Sequence, residues 1–149
     1  MTTTAPTVNG RVIGLAHYAG RAIVEHVLAG HGATFLQQIT LRAVVVADGP
    51  LELDALVAEV TGALKNDPSD VRATVGELLD WGLLVSDGPL IRPTEAGREL
   101  IATTAAETGG ISARIYAGIA AEDLAVAGRV LSLVTERADA ELAALKSQG

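Results

Sequence analysis

At 149 residues the chain has room for one domain with a real core, or for one compact unit with a dimerisation appendage. Hydrophobic residues make up 49% but aromatic ones only 3%, so the interior must be Leu, Val, Ile and Ala, a composition that favours packed helices. The absence of cysteine excludes a disulfide framework, thiolate metal ligands and a cysteine nucleophile, and the formal net charge of −7 repels nucleic acid when taken globally.

The opening MTTTAPTVNG (residues 1–9 and Gly10) lacks a basic segment followed by an apolar one, so it is read as a frayed tail and not a secretory signal. No apolar run approaches the roughly 20 residues that span a bilayer, and a cytoplasmic protein is expected. From Arg11 to about Ala29, Val12, Ile13, Ala16, Ala19, Ile23, Val24, Val27 and Leu28 recur at helical spacing. Arg21 and Glu25 stand four apart and can pair, and Gly30 and Gly32 close the helix.

A second helix starts behind Thr34 as N-cap and stops at Asp48-Gly49-Pro50. The run Val44-Val45-Val46 continues the face of Phe35, Leu36, Ile39 and Leu41, which favours helix over strand. LELDALVAEVTGAL is a third helix, with Leu53, Leu56, Val57 and Val60 on one side and Thr61-Gly62 loosely marking its end. In NDPSDVRATVGELLDWGLL, Asn66 or Asp67 caps a fourth helix, Pro68 fills its first turn and Asp70 complements the dipole. Val71, Val75, Leu78 and Leu79 point inward and Gly82 ends it. Leu83-Leu84-Val85, a turn at Asp87-Gly88 and Leu90-Ile91-Arg92 then make a short two-stranded hairpin. Thr94-Glu95-Ala96-Gly97 opens a helix to about Thr108, Gly109-Gly110 interrupts it, and ISARIYAGI continues it bent or broken. A last helix, about Glu122 to Leu145, lines up Leu124, Leu131, Val134, Ala138, Leu142 and Leu145.

This element order is mostly α: a winged helix-turn-helix embedded in a helical frame. On DPSDVRATVGELLDWGLLV, RPTEAGRELI and IYAGIAAEDLAVAGRVLSLV, the sequence resembles the MarR family of bacterial transcriptional regulators over roughly residues 10–146. The resemblance implies a dimerisation helix in residues 10–33, the winged domain in 34–93 and further dimerisation helices in 94–149. It implies a homodimer whose two recognition helices enter successive major grooves of a pseudo-palindromic operator on double-stranded DNA. It places Ser69, Asp70, Arg72, Ala73 and Thr74 on the outward, DNA-facing side. It also implies a small, frequently aromatic ligand in a crevice between frame and winged domain.

Two features depart from the family pattern. The wing is cut to SDGPLIRP, with Arg92 as its one nearby arginine, and the loop TGALKND before the recognition helix looks long. Between Thr34 and Leu100 five basic residues face eleven acidic ones, a formal −6. Phosphate contacts need cations, and those available are Lys65, Arg72 and Arg92. Two functions therefore compete: a ligand-responsive repressor, or a dimer that has lost operator binding and uses its crevice to sequester or transform a small molecule.

Arg72 could pair bidentately with guanine or simply with Asp70 or Asp67. His17, Tyr18 and Arg21 cluster within one helical turn and could meet an anionic aromatic ligand, or be a polar stripe at the dimer surface. Trp81 is either core at the wing root or a ligand platform. His17, His26 and His31 lack the i, i+4 spacing of a metal pair, so no metal is expected. No cofactor or catalytic motif stands out, and an enzyme is the less favoured expectation.

Overall fold

A computed structural model describes residues 4–149. Residues 1–3 of the expected tail lie outside the described residues, and 4–9 are exposed and outside any helix or strand. The elements in chain order are α1 (Gly10–Ala29), α2 (Phe35–Val45), β1 (Leu51–Glu52), α3 (Leu53–Leu64), α4 (Pro68–Asp80), β2 (Leu84–Asp87), β3 (Leu90–Pro93), α5 (Glu95–Tyr116) and α6 (Ala121–Ser147). Two compact units divide the chain, residues 1–111 and 112–149.

The caps are local chemistry. Asn9 accepts from the Val12 amide to start α1. Thr34 and Gln37 form a reciprocal capping box at α2, each side chain taking the other's backbone N–H. The Val44–Val46 run stays helical through Val45, because Val44 is buried in the core and Val45 packs against it.

The first unit is built round one aliphatic core. Leu41 and Val44 of α2, Leu56, Val57 and Val60 of α3, and Val71, Val75 and Leu78 of α4 meet Leu84, Ile91 and Ile101 there. The hairpin has a third strand that alternation could not reveal, since β1 is two residues long. β1 pairs antiparallel with β3, Leu51 opposite Ile91, giving the order β1-β3-β2. The Leu53 amide donates to the Pro89 carbonyl at 2.9 Å, so the wing is tied to the start of α3 as well as to the end of α4.

Three expectations are corrected. The hairpin turn is Gly88-Pro89, not Asp87-Gly88, with Asp87 opposite Leu90 as the last strand pair. Gly88 takes φ +59° and Pro89 follows with its fixed negative φ, the sign pattern of a type II′ turn. The loop before α4 is short, because α3 runs through Thr61-Gly62 to Leu64 and only 65–67 connect, Lys65 stopping the helix at φ +60°. Gly109-Gly110 does not break α5, which is helical through Tyr116. Glycine costs roughly 1 kcal/mol in a helix interior, too little to interrupt 22 residues.

The junction between wing and α5 is tightly packed. Thr94 donates its amide to the Leu83 carbonyl (3.1 Å) and its hydroxyl to the Gly82 carbonyl (2.7 Å), while that hydroxyl accepts from the Gly97 amide (3.1 Å). Gly97 lies so close to β2's entry that a Cβ would sit 2.2 Å from the Leu83 carbonyl oxygen. Two turns on, buried Thr104 accepts from Gln38 at 2.8 Å, joining α5 to α2.

The second unit holds the end of α5, a turn in which Gly118 takes φ +80°, and α6. No residue of α6 is buried, and Leu131, Val134 and Leu145 are 40%, 41% and 64% exposed. Among the described residues no helix is long and apolar enough to cross a membrane.

Gly97→Ala separates packing from propensity. Helix propensity alone would make the protein about 1 kcal/mol more stable; the backbone clash should instead cost about 2 kcal/mol or more in urea unfolding. A stabilised variant would show that the α5 crossing gives way freely.

Candidate nucleic-acid interface

The α4 face follows from its buried stripe. Val71, Thr74, Val75 and Leu78 are buried at i, i+3, i+4 and i+7, which turns Ser69, Asp70, Arg72 and Ala73 outward, all exposed. Thr74 was expected on that outward face and is not: it is 4% exposed and gives its hydroxyl to the Asp70 carbonyl at 2.8 Å. It belongs to the inward stripe, where a back-bonded threonine packs like valine. Leu79, expected inward, is half-buried against the core.

Asp67 caps α4. Its Oδ1 accepts from both the backbone N–H and the hydroxyl of Ser69, each at 2.8 Å, and these bonds hold its carboxyl below the usual 3.8, the backbone bond chief among them. Ser69 is thus oriented by Asp67 at the helix start, where backbone N–H groups and the dipole favour an anion.

Arg72 pairs with neither Asp70 nor Asp67. One terminal guanidinium nitrogen donates to Asp54 Oδ1 of α3 at 2.7 Å, and both side chains are largely exposed. Asp54 carried no signal in the sequence beyond being acidic, since the pair crosses from α3 to α4 over 18 positions. Lys65 stands at the α3–α4 turn with its ammonium donating to the Gly62 carbonyl. Arg92 is not part of this group. It lies on β3 opposite Val85, in strand and away from the turn, and lines a crevice described below.

The proposed ligand residues are only partly brought together. His17 and Tyr18 meet edge to face, centroids 5.9 Å apart. Arg21 pairs with Glu25 at 2.7 Å and lies 4.2 Å over the Phe35 ring, so its charge is already engaged by a carboxylate and an aromatic face. Trp81, read as either core or ligand platform, is not core: it is 44% exposed where α4 ends. Beside it Gln37, Gln38, Leu41, Leu78 and Leu100 form a closed seam without room for a water molecule. His31, in the α1–α2 turn, reaches Glu107 at 2.9 Å and ties that turn to α5. Among the described residues no three metal-ligating side chains converge.

No protein-family model matches the sequence, and no curated protein matches it. Solved structures do. CouR from Rhodococcus jostii RHA1, bound to p-coumaroyl-CoA, is similar with a TM-score of 0.72 at 21% identity, over 85% of this chain and 90% of that one. The Mycobacterium tuberculosis MarR family protein Rv2887 in complex with DNA gives 0.67 at 20% identity, over 87% and 98%. The fold is that of MarR-type winged-helix regulators. Rv2887 in complex with p-aminosalicylic acid is similar too, with a TM-score of 0.65 at 21% identity over 87% and 98%. Within the MarR-type fold, α3 and α4 are the helix-turn-helix and β2-β3 the wing.

The Asp67 cap makes α4 sensitive to acid. A carboxyl with a lowered folded-state pKa contributes stability that is present above its unfolded value and lost as pH falls through the folded one. Asp67→Asn keeps a capping oxygen but cannot titrate. Its urea midpoint should stay near the parent's at neutral pH and fall less steeply as pH drops below 3.8. Superimposable acid profiles would exclude this carboxylate as a contributor.

Proposed function

We propose that this chain is a MarR-like transcriptional regulator, a repressor that binds a pseudo-palindromic operator on double-stranded DNA as a homodimer and responds to a small ligand. The observation that carries the reading is the outward face of α4: a capped helix start with Ser69, Asp70, Arg72 and Ala73 exposed, on a fold shared with a protein solved in complex with DNA. Arg72 is its centre. Asp54 takes one nitrogen of the guanidinium, and the donors that remain can still meet a guanine edge. Lys65 and the α4 N-terminus would take phosphates.

The dimer reading is supported by the uncovered apolar side chains of the second unit. Ile115, Tyr116, Ile119, Val126, Leu131 and Val134 are each 40% exposed or more, large apolar side chains that a partner surface would cover. The ligand reading rests on His17, Tyr18 and Arg21 on α1, with Trp81 at the end of α4, and on similar proteins solved with p-aminosalicylic acid and p-coumaroyl-CoA. The acidic charge of residues 34–100 and the two-residue wing turn favour a second reading, a MarR-like dimer that has given up operator binding and holds or transforms a small molecule.

Sedimentation should give a dimer at micromolar concentration, and a monomer there would contradict the homodimer. On a selected operator, Arg72→Ala should cost about 1 to 3 kcal/mol and relax preference at one base position in each half-site. An unchanged base preference would remove Arg72 as the reader.

A further inference from the structure

The C-terminal end of α2, β3 and the first turns of α5 enclose an open crevice of about 350 Å³, walled by Val44, Ala47 and Pro50 and edged by Asp48, Arg92 and Arg98. That volume is in the range of small-molecule sites. Arg92 and Arg98 come from elements joined by Thr94 alone, and the Thr94 bonds to Gly82 and Leu83 fix the corner between them. The crevice is thus held by a junction with three hydrogen bonds to Thr94.

Its charge is unusual for where it lies. In a segment with eleven acidic residues to five basic, a guanidinium finds a carboxylate easily, as Arg72 finds Asp54. Neither Arg92 nor Arg98 has a carboxylate within 4 Å among the described residues, although Asp48 edges the same crevice. Arg98 also stands near the start of α5, where the helix dipole disfavours a cation. Two guanidiniums left without partners, one of them against the dipole, make a place where a compact anion gains what the protein itself does not supply.

We propose that this crevice is a binding site for the phosphate group of a small organic phosphate. Two planar forks supply enough N–H donors for three phosphate oxygens, and their double positive charge balances a phosphate monoester. Asp48 accepts from a hydroxyl of the ester's organic part, and the apolar surface of Ala47 and Pro50 packs against its carbon skeleton. The site is distinct from the α4 face and stands whether or not the chain binds DNA.

Calorimetric titration of the full-length protein with inorganic phosphate and with glycerol 3-phosphate at physiological salt tests it. The expected result is one saturable site per chain, with glycerol 3-phosphate tighter than about 1 mM. Arg92→Gln and Arg98→Gln should each weaken it about tenfold or more, and Arg72→Gln should leave it unchanged. Because either variant could unfold, the parent's Gly49 amide and the arginine side-chain N–H signals are followed by NMR, and they should shift with the same saturation. A duplex of mixed sequence distinguishes the source of the phosphate. Loss of duplex binding in Arg92→Gln and Arg98→Gln, without saturable small-phosphate binding in the parent, would overturn the proposal and make the crevice a seat for the DNA backbone. No saturation with either small phosphate, or equal weakening by Arg72→Gln, would overturn it as well.

Discussion

The first unit depends on one close approach, that of Gly97 to the Leu83 carbonyl. A helix can cross a strand entry at that distance only where it lacks a Cβ, since the atom would fall 2.2 Å from the oxygen. Thr94 makes the same approach from three residues earlier, satisfying the carbonyls of Gly82 and Leu83 that α4's exit leaves open. Together they fix where α5 leaves the wing, and with it where Ile101 and Thr104 reach the core and α2. The wing is then held on two sides, by this junction and by β1 pairing with β3.

That framework sets where function can reside in the winged domain. The α4 stripe is committed to the core at Val71, Thr74, Val75 and Leu78. What is left for recognition is a narrow outward strip, and the Asp67–Ser69 and Asp54–Arg72 bonds already organise it. A carboxylate on Arg72 would have two effects of opposite sign on DNA binding: it orients the guanidinium, and it competes with phosphate or base for its donors. With a formal −6 over residues 34–100, long-range attraction contributes little, so DNA binding would rest on short-range contacts of this strip and depend only weakly on salt.

What the sequence made legible was local. Caps at Thr34 and Asp67, the helix of Val44 and Val45, the Arg21–Glu25 pair and the short hairpin all follow from neighbours within a few positions. What it hid was set by contacts across the chain or by competition between weak preferences. β1 is two residues of strand made by its partner, not by its own pattern. The turn moved one residue on because Gly88-Pro89 suits a II′ turn, leaving Asp87 in the strand. Thr74 looks polar and outward in a list of residues, yet its hydroxyl is satisfied one turn back, so it packs inside. Gly109-Gly110 reads as a break until the modest cost of glycine is set against a long helix. His31 with Glu107 and Arg72 with Asp54 join residues 76 and 18 positions apart, beyond any spacing rule. Gly97 did have a signal, a glycine in the first turn of a helix directly after a wing, where no turn calls for one.

The central claim is that the outward strip of α4 reads DNA despite the acidic surround and the short wing. Selection of genomic fragments on the purified protein, followed by anisotropy titration of the winners across salt, tests it most directly. The account predicts a specific site bound at about nanomolar strength, with a salt slope shallow enough to match a few phosphate contacts. No enrichment at low salt would contradict it and leave the small-molecule reading of this MarR-like fold in its place.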